Sequence, residues 1–299
     1  MADYSQAWSA SRPGCLILLL DQSGSMSDPF GYVQGAGYGR RKCDMVATVL
    51  NGFLNELIVT NTIAQKDGST SVRPRADVAV VGYEGSFVGP ILGGTLEGRS
   101  FVSLPELQMN PLTIERRSKR EIDEVGMEVE IPVQFPIWVQ PVAGGGTPMC
   151  GALRQAADLA RQWAMMHPDS YPPVIINVSD GMANDGDPAE AARLLSDIST
   201  NDGQALLFNV HITDINSAPV AYPADESELP NDRYAKKLFS ISSLIPETSR
   251  SLLQSLLARP VFPGARGLIF NGDAASVRQM FVFASVPATK PLEQLEMDR

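Results

Sequence analysis

Residues 14–20 form an unbroken apolar run bounded by polar positions, the pattern of a strand covered on both faces in a parallel sheet. A polar, glycine-rich stretch follows at 21–39. Over 40–58, Cys43, Val46, Ala47, Leu50, Phe53, Leu54 and Leu57 recur at three- and four-residue spacing, which predicts a helix with one buried face. The alternation then repeats. Residues 76–83 are a β-branched run, 151–166 a helix, 174–178 a second apolar strand, 188–198 an amphipathic helix and 205–212 a further strand. Residues 238–258 read as mainly helical, 267–270 as a last short strand and 274–284 as a last helix. Strands alternating with helices predict an α/β fold: a doubly wound, mostly parallel central sheet with helices on both faces.

The rhythm breaks over 87–142. There Met127, Val129, Ile131, Val133 and Phe135 alternate with other residues, and Pro132 and Pro136 interrupt, which predicts a β-rich antiparallel insertion. The charged cluster at 115–120 reads as a solvated turn between two such strands, with docking as the minority alternative. The predicted organisation is one domain over 14–285 that includes this insertion and a C-terminal helical extension at 238–285, with tails at 1–13 and 286–299.

Composition narrows the class. With 299 residues, 44% hydrophobic and 19% charged, the chain can bury a full core and has the balance of an ordinary globular protein. A formal net charge of -10 opposes a phosphate backbone, so neither nucleic acid nor an anionic membrane is expected as a partner. Cys15, Cys43 and Cys150 lack CxxC spacing and are odd in number, which predicts reduced thiols in a cytoplasmic protein. The first thirteen residues lack the basic start and apolar run of an export signal. The apolar run at 15–20 is far shorter than the roughly 20 residues of a membrane helix.

The candidate chemistry lies where strands end. The first strand closes in Asp21-Gln22-Ser23-Gly24-Ser25-Met26, and ligands of open α/β sheets bind at the carboxyl ends of strands. Oxygen-bearing residues alternating around a glycine let a tight loop turn Asp21, Ser23 and Ser25 towards one point. Gly144-Gly145-Gly146-Thr147-Pro148 opens a helix, and Ser179-Asp180-Gly181 follows another apolar strand. Hydroxyls with two carboxylates, and no histidine or thiolate, form a hard-oxygen set suited to Mg²⁺ or Mn²⁺ rather than Zn²⁺. So few carboxylates leave the ion an open position that an Asp or Glu of a protein partner can fill.

Asp21-x-Ser23-x-Ser25, Thr147 and Asp180 together resemble the metal-ion-dependent adhesion site (MIDAS) of the von Willebrand factor type A (vWA) family, and the likeness runs in order from residue 14 to about 212. The resemblance implies that the two serines and the threonine approach the metal, that the aspartates act directly or through water, and that a partner carboxylate completes the shell. The GGGTPMCG stretch at 144–151 and the FPIWV stretch at 135–139 are similar to bacterial vWA proteins. Some of those accompany a protein kinase and a metal-dependent phosphatase in tellurium-resistance-like or defence operons. The implied function is a metal-dependent protein interaction module and not an enzyme. An adaptor for an AAA+ ATPase, of chelatase or MoxR type, is the alternative setting, and adjacent genes would separate the two.

Other residues read more plainly. A metal-dependent phosphohydrolase using Asp21 as nucleophile would need a second aspartate two positions on, where Ser23 stands. His167 reads as a helix-end residue and His211 as the close of an apolar strand, so a hydrolytic triad lacks support. Gly144 to Gly146 lack the GK[ST] continuation of a phosphate loop. Asp187 before Pro188 reads as a helix N-cap, with site tuning by Asp185 and Asp187 as the lesser alternative. Asp28, Tyr32 and Tyr38 fit equally a recognition rim or packing anchors.

Overall fold

A computed structural model describes residues 3–30, 40–122, 127–212 and 218–285. In chain order its elements are β1 (Gly14–Asp21), α1 (Lys42–Thr60), β2 (Thr62–Ala64), β3 (Thr70–Val72), β4 (Ala76–Glu84), β5 (Phe87–Pro90), β6 (Val102–Ser103) and α2 (Leu104–Met109). There follow β7 (Thr113–Ile122), β8 (Glu128–Ile137), α3 (Met149–Met166), β9 (Val174–Ser179), α4 (Pro188–Ser196) and β10 (Leu206–His211). The chain then runs through β11 (Val220–Ala221), α5 (Arg233–Ile241), α6 (Glu247–Leu257), β12 (Leu268–Phe270) and α7 (Ala274–Ser285).

The architecture is α/β with a mostly parallel central sheet. Its strand order is β11-β12-β10-β9-β1-β4-β5, with β6 also paired to β4. Pairs β4-β1, β1-β9, β9-β10 and β10-β12 are parallel, whereas β5, β6 and β11 add antiparallel edges. Every residue of β1 is buried, because both faces are covered. Leu16, Leu18 and Leu20 pack on one side with Leu50, Phe53 and Leu54 of α1 and Phe281 of α7. Cys15, Ile17 and Leu19 pack on the other with Leu153 and Trp163 of α3 and Leu195 of α4. Among the described residues α1 is the one helix long and apolar enough to cross a membrane by length and composition, and its apolar face is spent on this core.

Chain direction creates the crevice. From β1 the chain passes through α1 to β4 on one side, and later returns through α3 to β9 on the other. The strand order therefore reverses at β1, and the carboxyl ends of β1, β4 and β9 come together at a topological switch point.

Three sequence expectations need correction or refinement. The charged cluster at 115–120 is no turn: it lies within β7, paired in register with β8 from Thr113↔Ile137 to Ile122↔Glu128. Two of its charges are paired along and across the ladder, Arg117 with Glu115 and Arg120 with Glu128 and Glu130, while the Arg117 guanidinium lies over the Phe135 ring. The helical stretch at 238–258 is two helices, α5 and α6, broken where Pro246 precedes α6. The segment 3–13, expected as a tail, is tied to the fold. Backbone N–H groups of Asp3 and Tyr4 donate to the Asp202 carbonyl, those of Ser5 and Gln6 to its carboxylate, and Trp8 packs over Gly14. Tyr32, Tyr38 and the segment 286–299 lie outside the described residues.

Candidate metal centre

Asp21 ends β1, almost wholly buried, and its carboxylate is held from two directions. Oδ1 accepts the Ser23 backbone N–H at 2.8 Å, and Oδ2 accepts the Ser179 hydroxyl at 2.6 Å. The first bond folds the loop back on the strand end. Residues Gly24–Ser27 then make a short 3-10 turn anchored by the fully buried Met26. As a result Ser23 Oγ and Ser25 Oγ stand 3.2 Å apart.

The glycine loop is fastened to this turn through its backbone. The Gly144 N–H donates to the Gln22 carbonyl at 2.7 Å, and the Gly24 N–H donates to the Gly145 carbonyl at 3.0 Å. Gly145 has φ +62, and a Cβ there would lie 2.8 Å from the Cα and N of Gly85. Only glycine satisfies both demands. Gly145→Ala is expected to cost about 2 kcal/mol through strain and forced displacement of the loop. A urea midpoint equal to that of the parent would contradict the close approach.

Thr147, also buried, follows this loop directly and precedes α3; its carbonyl accepts the Asn184 N–H at 3.1 Å. Asp180 follows β9 directly. Its backbone carbonyl is 3.1 Å from His211 Nε2, and the Ser179 hydroxyl that serves Asp21 also accepts the Gly181 N–H. The Asp180 carboxylate is turned to the ammonium of Lys42, 3.2 Å away, with both side chains buried.

The electrostatics follow from this burial. Desolvation pushes the Asp21 carboxyl up to about 6, with the Asp180 charge adding to the rise and the bonds from Ser179 and Ser23 opposing it. Burial pulls the His211 imidazole below its ordinary value, and Nε2 is engaged with the Asp180 carbonyl, so this ring orients the backbone of the loop. Tyr83, fully buried beside Asp21, has its hydroxyl pushed well up by desolvation, and it donates to Asn177. Asn177 donates in turn to Asn209, and Asn209 to Ser242, a polar line through the buried sheet.

The structure thus joins Asp21, Ser23 and Ser25 directly and fastens the Thr147 loop to them by main-chain bonds. Asp180 reaches the group through its neighbour Ser179 and through its charge. The serine pair has the spacing of two oxygens on one small hard cation. Cis oxygens at 2.0–2.1 Å around an octahedral Mg²⁺ stand about 3 Å apart, close to the separation of the two serine hydroxyls. Among the described residues no group of three or more His, Cys, Asp or Glu gathers as a metal site. Of the five candidate side chains three bear hydroxyls and two are carboxylates. The three cysteines are buried and free.

Lys42 and Ser179 are functional candidates that the sequence reading did not single out. Ser179 lies inside the quoted Ser-Asp-Gly motif, and Lys42 falls four residues before Val46 on the apolar stripe of α1, a signal visible in the periodicity. The acidic neighbours have structural duties. Asp187 caps α4 by accepting the Ala189 N–H at 2.9 Å, and Asp185 accepts the Cys150 and Gly151 N–H groups at the start of α3. His167 ends α3, its ring tilted against Trp163.

No family model and no curated protein matches the chain. Among solved structures it is similar to an uncharacterized membrane spanning protein from Vibrio fischeri. The two are 16% identical over 75% of this chain and 85% of that one, with a TM-score of 0.24, a likeness that carries no argument.

Proposed function

We infer that this chain is a vWA-like domain in which Asp21, Ser23, Ser25, Thr147 and Asp180 hold Mg²⁺, with Mn²⁺ as a substitute, to capture an Asp or Glu of a protein partner. The observation that carries the reading is the serine pair. Two hydroxyls 3.2 Å apart, on a turn held by the Asp21 carboxylate and joined to the Thr147 loop, form the edge of an oxygen shell at a topological switch point. Bound there, the ion would supply electrostatic attraction for an incoming carboxylate. This chain's part is to present the hydroxyls, fix the aspartates and keep the floor of the site dry.

The role is that of a binding module and not of an enzyme, since Ser23 stands where a phosphoryl-transferring aspartate would need its acid/base partner. The setting proposed is a bacterial stress, signalling or defence scaffold working with a protein kinase and a metal-dependent phosphatase.

Calorimetric titration of the chelator-stripped full chain with Mg²⁺ tests the metal, and water-proton relaxation of the Mn²⁺-loaded chain on addition of acetate tests the open position. The Ser23→Ala/Ser25→Ala pair is expected to weaken Mg²⁺ at least tenfold with unchanged circular dichroism. Acetate is expected to lower relaxivity as it displaces metal-bound water. Equal Mg²⁺ affinity in parent and variant would sink the reading.

A further inference from the structure

We propose that Lys42 is the internal cation of this centre: its ammonium holds Asp180 while the divalent ion is away, weakens the ion's hold when it enters, and leaves the loaded site one positive charge in excess for a partner carboxylate to neutralise. The inference rests on the metal reading above and adds to it the residue that sets affinity.

Lysine is seldom buried, yet Lys42 is 3% exposed, and its ammonium lies 3.2 Å from the Asp180 carboxylate across 138 positions of sequence. Its neighbour Arg41 shows the ordinary alternative, lying on the surface in an ion pair with Asp44 one helical turn on. Lys42 is the first residue of α1, and its backbone N–H donates to the Asp28 carbonyl at 3.0 Å. Close by, the Phe30 N–H donates to the Arg40 carbonyl, and Pro29 bridges to Arg41. The side chain is thereby aimed inward by a closed backbone neck, not left to choose between site and solvent.

The charge balance gives the placement its meaning. The group counts two buried carboxylates, Asp21 and Asp180, whose charges act on each other, and one buried ammonium paired with Asp180, so a divalent ion carries the group from one negative charge to one positive. Without Lys42 the same ion would bring two carboxylates to neutrality, bind more tightly and attract a further carboxylate less. An ammonium within a few ångströms of a divalent ion in a poorly solvated site is strongly repelled by it, because the interior screens charge far less than water. Lys42 therefore exchanges ion affinity for affinity towards an acidic partner.

The test is Mg²⁺ calorimetry on chelator-stripped full chains of the parent, Lys42→Met and Lys42→Arg. Lys42→Met is expected to bind Mg²⁺ at least tenfold more tightly, and Lys42→Arg, which keeps the charge, no more tightly than the parent. Acetate is expected to bind the Mn²⁺-loaded Lys42→Met protein more weakly than the Mn²⁺-loaded parent. Mg²⁺ affinity in Lys42→Met equal to or below that of the parent overturns the proposal while leaving the metal site standing. A parent that binds no Mg²⁺, beside a Lys42→Met protein that does, supports Lys42 as the cation and overturns the metal reading for the natural chain. Absence of binding in both overturns both. Where Lys42→Met does not fold, nuclear magnetic resonance of the unaltered protein with ¹⁵N-lysine decides. The protected Lys42 Nζ signal is expected to shift as Mg²⁺ saturates the chain, and a fixed signal overturns the proposal.

Discussion

Asp21→Asn is expected to make the chelator-treated protein more stable at pH 7 and to abolish its response to Mg²⁺. The carboxyl of Asp21 is raised from 3.8 to about 6 by burial, so keeping it ionised at pH 7 costs the metal-free fold about 3 kcal/mol, at 1.36 kcal/mol for each pKa unit. Asparagine has the same shape, retains an oxygen for the Ser23 N–H and offers an amide donor to Ser179, so most of the hydrogen bonding survives without the buried charge. A gain of about 1–3 kcal/mol is expected in urea denaturation with chelator present. Because the folded value lies above the unfolded one, the penalty in the parent is complete above pH 6 and fades as pH falls towards 3.8. The difference between the two chelated proteins should shrink over that window. In excess Mg²⁺ the order is expected to reverse, since an ion that binds only the folded parent stabilises it by mass action. A variant less stable than the parent in chelator, or stabilised by Mg²⁺ to the same extent, would contradict the assignment of Asp21.

Asn51→Ala is expected to destabilise the protein by about 3–5 kcal/mol, well beyond an ordinary substitution. Asn51 sits 1% exposed on α1 and stands in for a neighbouring strand. Its Oδ1 accepts the N–H groups of Trp138 and Val139 at 2.8 and 3.1 Å, and its Nδ2 donates to the carbonyls of Val139 and Ala47, both at 2.8 Å. Alanine leaves two N–H groups and a carbonyl of 138–139 in the core without these partners, each orphan costing about 1–3 kcal/mol. The same segment leads from β8 into the loop that carries Thr147, so Mg²⁺ affinity should fall with stability. A loss under about 1 kcal/mol in urea denaturation would show that the segment holds without the clamp.

The candidate site is half legible in the sequence. Asp21, Ser23, Ser25, Thr147 and Asp180 were marked by residue type and by position after apolar runs, because strand ends and oxygen spacing are written locally. Their mutual fastening was not. The Gly24 to Gly145 bond, the Ser179 bridge and the Lys42 to Asp180 pair join residues far apart in sequence, and no periodicity carries that information. The charged run at 115–120 misled for the same reason: its cross-strand partners exist only in register, so by itself it looked like a solvated turn.

By itself the sequence determined the β1 strand, the helical stripe of α1 and the α/β alternation, since burial on one or both faces imposes a period that any short window records. It also marked the oxygen-bearing residues at strand ends that the proposed cation site draws on. Only the tertiary structure decided the strand order with its reversal at β1, the clamp at Asn51 and the turning of Lys42 towards Asp180. The reason is that strand pairing and buried charge compensation are settled by which distant surfaces exclude water together. What the tertiary structure adds beside Asp180 is a buried cation of the chain's own, Lys42.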